Sequence, residues 1–567
     1  MDTQLTYAAP DPDLVARLKA DLDCHPVLAG LLVDRGLTSP EEARFFLAPD
    51  FSRLTSPFAL KDMDKGVERI YTAVANKEKI LIFGDFDADG VTATATLYEF
   101  LCHIEADVTW YIPHRTREGY SLHPPHIDMA VEMNVDLIIT VDCGITAEEA
   151  VVAANAEDID VIVTDHHEPG DTLPPAYAVI NPKQAACESG LAYLAGVGVA
   201  FYVVMALRRF LREKKVWERI EEPNLAGYLD LFAIGTIGDM VPLTGDNRTL
   251  CVAGMRQIRR GLRPGIRAMA HASRIDLDQM DSDDISFKLV PRINAAGRIS
   301  HARICVSHLT APNLGDARTS AQLLDDLNLR RQHIEREIVQ DIERRVETSP
   351  DLLDGRLLVL WDRRWEASVL GIAASKLSRK YACPVVLLSV GNGLATGSCR
   401  SLNQLNIHQA LSESAGLLEK FGGHAMAAGL TLKEENLDQL KPCLQQYFDT
   451  HYSDADFTRT VTVDAELALD EITLDLAREI DRLRPFGTAN PEPVFMARNL
   501  WVADSHIIGT YHRKMALKGE TGTYQVEALH FNLESVNDLP AFYSTLLFKL
   551  KINKFKANTP QIIVEAT

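Results

Sequence analysis

No two of the nine cysteines (Cys24, Cys102, Cys143, Cys187, Cys251, Cys305, Cys383, Cys399 and Cys443) form a C-x-x-C pair, and their number is odd. A zinc ribbon or a disulfide framework is therefore not expected, and reduced thiols in a cytoplasmic setting are. Internal repeats and low-complexity tracts are lacking too. Met1-Asp2-Thr3-Gln4 carries no basic patch followed by an apolar run, so no secretory signal is expected. An excess of basic charge is also missing: the formal net charge is −21. That speaks mildly against a phosphate binder, which usually shows a basic face. It is not decisive, because carboxylates that bind cations count as negative and a local basic groove can sit on an acidic body. Long uncharged runs are scarce. One, Ser189 to Leu207, ends at Arg208-Arg209 and contains Gly190, Gly196, Gly198 and two tyrosines. It is borderline in length for a membrane span, and a buried helix packed closely through its glycines is expected instead.

What is present is ordinary globular composition, 46% hydrophobic and 24% charged, over 567 residues. That length is too great for one core and implies three or four domains. Residues 1–76 read as helical; Gly36, Ser39 and Pro40 mark the stop of one helix and the start of the next. From Lys77 the pattern changes to apolar strands alternating with helices. Lys79–Phe83, Val135–Val141 and Asp160–Thr164 are continuous apolar runs, each ending in an acidic turn. Such runs imply a parallel sheet covered on both faces. Ala321 to Val346 reads as one long helix, with Ile334, Ile338, Ile342 and Val346 at four-residue spacing. A second α/β unit follows at about 350–455, with strands at 356–360 and 384–388. After Phe457 the texture becomes β, with strands expected at 460–468, 494–508, 513–519, 524–531 and 545–552, enough for a small OB-like barrel.

The strongest feature is where Asp and His fall. They follow the C-terminal ends of successive expected strands, where open α/β sheets place their ligand sites. Asp85, Asp87 and Asp89 alternate just past the first strand. An EF-hand loop also begins D-x-D-x-D-G, but its twelfth position here is Thr96 rather than Glu, and a strand precedes it rather than a helix. Asp142 follows the next strand, and Asp165-His166-His167 the one after, imidazoles suited to ligation with a carboxylate behind them. Asp239 follows an apolar run closed by Gly235 and Gly238. Each element alone also reads as a solvated turn or a helix cap. Together, several carboxylates plus imidazole fit a hard two-metal site of manganese or magnesium. Two ions about 3.5–4 Å apart clamp the attacking and leaving oxygens of a phosphoryl displacement.

At this point the chain resembles the DHH phosphoesterase superfamily, named for the Asp-His-His found at 165–167. Its blocks occur in family order: the Asp85–Asp89 cluster, Asp142, Asp165-His166-His167 and Gly238-Asp239. Further stretches are similar to the RecJ exonuclease branch: Glu118-Gly119-Tyr120 after Tyr111-Ile112-Pro113, Pro291–Arg298, Phe421–Gly429 and Pro485–Pro493. The resemblance spans nearly the whole chain. It implies an α/β fold with a parallel-sheet DHH domain at 77–275 after the helical 1–76. A connector with the long helix follows at 276–347, then a DHHA1 α/β domain at 348–456 and an OB-like β-barrel at 457–567. It implies Asp85, Asp87, Asp142, His166 and Asp239 as metal ligands, Asp142 bridging, with Asp89 a ligand or a support. His167 would contact the scissile phosphate or assist proton transfer, with Asp165 behind it in the catalytic group. Arg292, Asn294 and Arg298 would hold the DNA backbone. Gly422, Gly423 and His424 would hold the terminal phosphate region, with Ser398 and Arg400 nearby, as arginine forks and open glycine backbone suit anions.

One stretch departs from the family. Where a Trp-His-x-Gly commonly opens the second lobe's helix, the chain has Trp365-Glu366-Ala367-Ser368. The implied activity is 5′ to 3′ hydrolysis of single-stranded DNA to mononucleotides in repair and recombination, with a single-strand-binding protein and a helicase as expected partners and no membrane association. Lys549, Lys551, Lys554 and Lys556 alternate and would form a DNA-gripping stripe or an ordinary solvated face. Two other readings stay open: hydrolysis of short oligonucleotides or cyclic dinucleotides, and a catalytically silent scaffold in a repair assembly.

Overall fold

The computed structural model describes residues 4–566 except positions 403, 459, 521, 523, 534–535, 537–538 and 554–558. The chain opens with a strand, β1 (Gln4–Tyr7), and helices at Pro12–Leu22, Pro26–Asp34 and Pro40–Leu47. The latter two begin with Pro at their first turn, and Ser39 caps the last by accepting from the Glu42 amide. The first strand departs from the helical reading of 1–76. Four residues carry no periodicity of their own; β1 exists because β12 (Thr460–Val463) offers a parallel partner, with Thr6 and Thr462 hydroxyls 3.0 Å apart.

The first α/β domain is built on a five-stranded parallel sheet of β2 (Ile80–Gly84), β3 (Val108–Tyr111), β4 (Leu137–Val141), β5 (Asp160–Thr164) and β6 (Ala178–Ile180), in the order β3-β2-β4-β5-β6. Successive strand residues face opposite cores. Ile80, Ile82, Leu137 and Ile139 point into one cluster, and Leu81, Phe83, Ile138 and Val161 into another. This is why the strands read as unbroken apolar runs. Strand order reverses between β2 and β4, so the crevice at their C-terminal ends is the topological switch point. The Gly196–Glu213 helix packs beneath it, as its glycines implied; Gly190 lies outside that helix.

The long helix runs Leu314–Thr348, further than the periodic stretch because Asn313 caps it by accepting from the Asp316 amide. Beyond it, β7 (Leu358–Asp362) and β8 (Val385–Gly391) pair parallel. The antiparallel β9 (Leu394–Arg400), β10 (Leu418–His424) and β11 (Ala427–Lys433) complete a sheet in the order β10-β11-β9-β8-β7. The C-terminal unit closes into a five-stranded barrel of β14 (Phe495–Ile508), β15 (His512–Lys518), β16 (Gln525–His530), β17 (Phe542–Asn553) and β18 (Thr559–Ala566), sealed by pairing of β14 with β17. β13 (Ala465–Glu466) only flanks it. The expected 460–468 strand thus splits into two short pairings, and β18 supplies the fifth barrel strand.

Lys549 and Lys551 do not form a free basic stripe. Lys551 bonds Asp283 at 2.8 Å and lies 3.4 Å from Glu492; Lys549 meets Glu565 at 3.0 Å. Lys554 and Lys556 lie outside the described residues. No described helix is long and apolar enough to cross a membrane.

The N-terminal helices and the barrel share one core, in which Leu18, Leu28, Leu31 and Leu32 meet Leu483, Phe495 and Phe548. The Pro485–Pro493 stretch is the junction. Asn490 is fully buried and donates to the Leu483 and Pro485 carbonyls, while Arg35 donates to Asn490 and to the Pro491 carbonyl. Arg248, from the Gly245–Arg260 helix that packs on the first α/β domain, reaches the same place and donates to the carbonyls of Phe46, Leu483 and Arg484. Burial pushes its pKa down to about 9. Arg248→Met keeps the stem but strands three carbonyls, and is expected to cost about 3 kcal/mol or more. Thermal unfolding together with limited proteolysis at the 48–60 and 484–494 segments checks this; an unchanged melting temperature and cleavage pattern would refute it.

Candidate metal centre and phosphate pocket

The loop after β2 places three carboxylates by distinct means. Asp85 is buried at the strand end. Asp87 caps the Ala88–His103 helix, accepting from the Asp89 and Gly90 amides. Asp89, one turn in, accepts from the Gly196 and Val197 amides at 2.5 and 2.8 Å. Those amides open the Gly196–Glu213 helix, whose positive end favours the carboxylate. Asp142 follows β4 with a left-handed φ of 62°, a conformation a non-glycine residue holds only when its surroundings fix it. A Cβ on Gly196 would lie 2.5 Å from Asp142, so this helix approaches closely only because it begins with glycine. Asp239 sits at a helix end, capping Leu229–Gly238, and not at a strand end as the apolar run suggested.

These groups converge. Three sets of ligand atoms each lie within 4.8 Å of one another: Asp85, Asp87 and Asp142; Asp89, His166 and Asp239; and Asp142, His166 and His167. Asp142 and His166 each belong to two sets, the arrangement that overlapping sites with a shared ligand require. His166 Nε2 is 3.1 Å from Asp142 Oδ1 and 3.6 Å from Asp239 Oδ2. Both His166 nitrogens, Asp85 Oδ1 and Asp142 Oδ1 are buried without a hydrogen-bond partner, which is costly unless a cation satisfies them. Burial, then neighbouring carboxylates, raises Asp85 and Asp142 well above the usual carboxylate range, and Asp89 and Asp239 to about 7 and about 9. Burial also pushes His166 down to about 3, so it is neutral and fit to ligate. Carboxylate oxygens with one or two imidazoles suit manganese or magnesium.

Asp165 does a different job. Its oxygens accept from the amides of Ile145, His166 and His167 and from His167 Nδ1 at 2.8 Å. Burial would raise its pKa, but these bonds lower it. It orients His167, whose own pKa is held at about 9: burial opposes the charge, and the bond to Asp165 outweighs it.

The sequence reading assigned no role to two residues of the 114–120 loop. Tyr120 places its hydroxyl 3.1 Å from His167 Nδ1, and Arg115 stacks 4.8 Å over Phe86 beside Asp85 and Asp87. Glu118 anchors the loop, accepting from the Tyr111 hydroxyl and the His114 amide. Gly119, at φ 87°, makes the turn that brings Tyr120 back. The Glu118-Gly119-Tyr120 block was the signal available for them.

The expected DNA contacts divide. Arg298 is half-buried, donates to the Ser368 carbonyl and leaves its buried Nε unpaired. Burial, then repulsion from Arg115, Arg400 and Arg331, lowers it to about 9. An anion between these arginines would relieve both effects. Cross-strand register sets Arg400 beside Ala427 and His424, and Ser398 beside Gly429 and Gly422. The glycine block is thus a β-hairpin rather than an isolated nest, because Gly422 pairs with Gly429; Gly422, Gly423 and His424 are exposed on its edge strand. Asn294 accepts from the Ala88 amide, next to the metal loop. Arg292 is engaged elsewhere, paired with Asp325 of the long helix at 2.7 Å. Glu366 is exposed at the start of the Ala367–Tyr381 helix, with no capping bond from its side chain.

Comparison with known proteins agrees with this geometry. The DHH family N-terminal domain matches residues 79–236, the DHHA1 domain 354–450 and the RecJ OB domain 463–566. These three domains define a DHH phosphoesterase. The single-stranded-DNA-specific exonuclease RecJ of Salmonella typhimurium is 36% identical over 580 residues, covering 100% of this chain and 99% of that one. RecJ of Bacillus subtilis is 35% identical over 563 residues, covering 98% of this chain and 70% of that one. The crystal structure of RecJ with Mn²⁺ from Thermus thermophilus superposes with a TM-score of 0.83 at 28% identity, over 99% of this chain and 78% of that one. Its complex with Mg²⁺ gives 0.76 at 26% identity, with 99% and 77% covered. The chain belongs to the RecJ family.

Divalent ions are the cofactors this donor set fits. Asp142→Asn is expected to weaken manganese binding by more than about 100-fold, whereas Asp165→Asn, a supporting change, costs about 10–100-fold. Isothermal titration and the manganese-induced rise in melting temperature measure both; equal losses would contradict the division drawn here.

Proposed function

We propose that the protein is a metal-dependent exonuclease that hydrolyses single-stranded DNA from the 5′ end to mononucleotides, in DNA repair and recombination. The observation that carries this reading is the juxtaposition of the carboxylate–imidazole cluster with the Arg115, Arg298 and Arg400 pocket. One binds cations and the other an anion, as a phosphodiester held for hydrolysis requires. Asp85, Asp87, Asp142, His166 and Asp239 would hold the divalent ions, and Asp89 fixes the helix that closes the site from below. When bound, the ions supply Lewis-acid activation of water and neutralise charge on the phosphodiester.

The chain's own residues do the rest. Arg298, Arg400 and Ser398, with Gly422, Gly423 and His424, seat the phosphate at the strand's end. Asp165 holds the proton on His167 Nδ1. The Asp165 carboxylate favours the protonated ring, whose Nε2 would contact a phosphate or assist proton transfer at the leaving 3′ oxygen. The Tyr120 hydroxyl lies against the same nitrogen, Nδ1, and helps fix the ring. The 5′ polarity follows from membership of the family. A single-strand-binding protein and a helicase are fitting partners, since each presents the substrate. Free thiols at all nine cysteines suit the cytoplasm.

Degradation of 5′- and 3′-labelled single and duplex strands, with manganese or magnesium, tests the proposal. Release of nucleotides from the 5′ end of single strands is expected, and Asp142→Ala should lower kcat by on the order of 1,000-fold. Activity confined to two- to five-residue oligomers would move the protein to the small-substrate enzymes. Absence of cleavage alongside intact DNA binding would make it a scaffold.

A further inference from the structure

Large apolar side chains are rarely left in water without reason when they cluster. Among the described residues, Leu262, Phe287 and Met240 are the large hydrophobics exposed above 70%, and two of them, Phe287 at 74% and Met240 at 73%, line one cleft. The cleft is about 620 Å³ in volume. Met240 directly follows Asp239 and has a left-handed φ of 61°, a strained placement for a side chain with no apolar contact to gain. Phe287 projects from a single π-helical turn, Ile285–Leu289, at the head of the Val290–Ile299 helix that carries Asn294 and Arg298. Such turns interrupt a helix at a cost and are frequent at functional sites. Ile285 and Leu289 on the same turn are fully buried, so the turn is firmly seated and Phe287 is presented from it.

The same helical stretch that presents Phe287 also brings polar groups to the cleft, further along its length. These include Asn294 and Arg298, whose Nε is buried and unpaired. Glu492 and Asp283 also border the cleft, but Arg484, Lys549 and Lys551 neutralise them. An exposed aromatic ring and, further along the same helical stretch, an unpaired guanidinium hydrogen, in a cleft that Gly238 and Met240 on either side of Asp239 also line, match a nucleotide's base and its phosphate.

We infer that this cleft is a base-stacking subsite for the retained side of a single DNA strand, with Phe287 as the platform and Met240 at the edge of the stacked base. The inference rests on the nuclease reading. The retained side is assigned because the barrel-side residues Phe486 and Lys549 form part of the walls, while Ser398, Arg400, Gly422 and His424 do not. Base–aromatic stacking tolerates any sequence, so Phe287 would grip the strand without selecting it.

The test pairs a protein change with a substrate change. Initial rates in manganese are measured for the full-length protein and for Phe287→Ala and Phe287→Trp. The substrates are single strands bearing one abasic nucleotide at each of successive positions from the 5′ end. Phe287→Ala is expected to raise KM about 5- to 100-fold with kcat little changed, and Phe287→Trp to restore it. For the unsubstituted protein, KM should rise by a similar factor when the abasic site occupies one or two adjacent positions. Phe287→Ala should be insensitive at those positions. An abasic profile that is flat for the unsubstituted protein overturns the subsite, as does one shared unchanged by Phe287→Ala. The first of these needs no variant to fold. Cleavage of normal strands with no Phe287 effect defeats this inference alone; no cleavage of single strands by the unsubstituted protein defeats the nuclease reading and the subsite with it.

Discussion

Carboxylates buried within a few ångströms of one another repel, and most of the DHH domain is arranged to hold them there. Asp142 is the point of greatest crowding: Asp85, Asp87, Asp89 and Asp239 all raise its pKa after burial does. A chain free to relax would turn these groups outward to water. It is prevented by the left-handed backbone at Asp142, by the Gly196 helix pressed against it, and by the Asp89 carboxylate pinned to that helix's first amides. The unfavourable electrostatics of the cluster are therefore the other face of its affinity for cations, since each unpaired oxygen and imidazole nitrogen is a lone pair kept available.

Asp165 behaves differently from the carboxylates crowded around Asp142. Asp165 uses both oxygens on amides and on His167, so it shapes the site without entering it. Glu118 plays the same part for the loop that delivers Arg115 and Tyr120. On the other side of the crevice the arginines are crowded in their turn, with Arg298 lowered by Arg115, Arg400 and Arg331. A crowded cationic cluster thus lies close to the crowded carboxylates, with Asp87 among the groups that act on Arg298.

Much of this was legible in the sequence because parallel strands buried on both faces read as continuous apolar runs, and the Asp and His residues after their ends stand out as a group that the fold brings together. Asp85, Asp142 and His166 were readable on that ground. Asp239 was found for a partly mistaken reason: the glycine-closed apolar run before it is a helix, and glycines at close helix contacts look the same as strand-end glycines. Arg292 looked like its neighbour Arg298, but its partner, Asp325, lies 33 residues on, a pairing no local pattern encodes. β1 escaped for a related reason, since a four-residue strand of mixed residues exists through its partner, whereas β18, eight residues with Ile562-Ile563-Val564, carried a signal that went unread. Phe287 and Met240 had no sequence signal at all; an exposed apolar residue becomes informative only when its neighbours in space are known.

The shared core of the N-terminal helices and the barrel has a consequence for the order of events on the ribosome. Leu18, Leu28, Leu31 and Leu32 emerge first, but their partners around Leu483 and Phe495 lie roughly 450 residues later. At about 5–20 residues per second, those leucines wait on the order of 20–90 s for the surface that covers them. Throughout that interval the DHH sheet, whose contacts are nearer in sequence, has time to form, while the first helices remain an adhesive amphipathic segment. The nascent chain thus passes through a long-lived stage in which its catalytic half is built and its ends are unjoined, and chaperone dependence would fall on the N-terminal 50 residues rather than on the metal-binding domain.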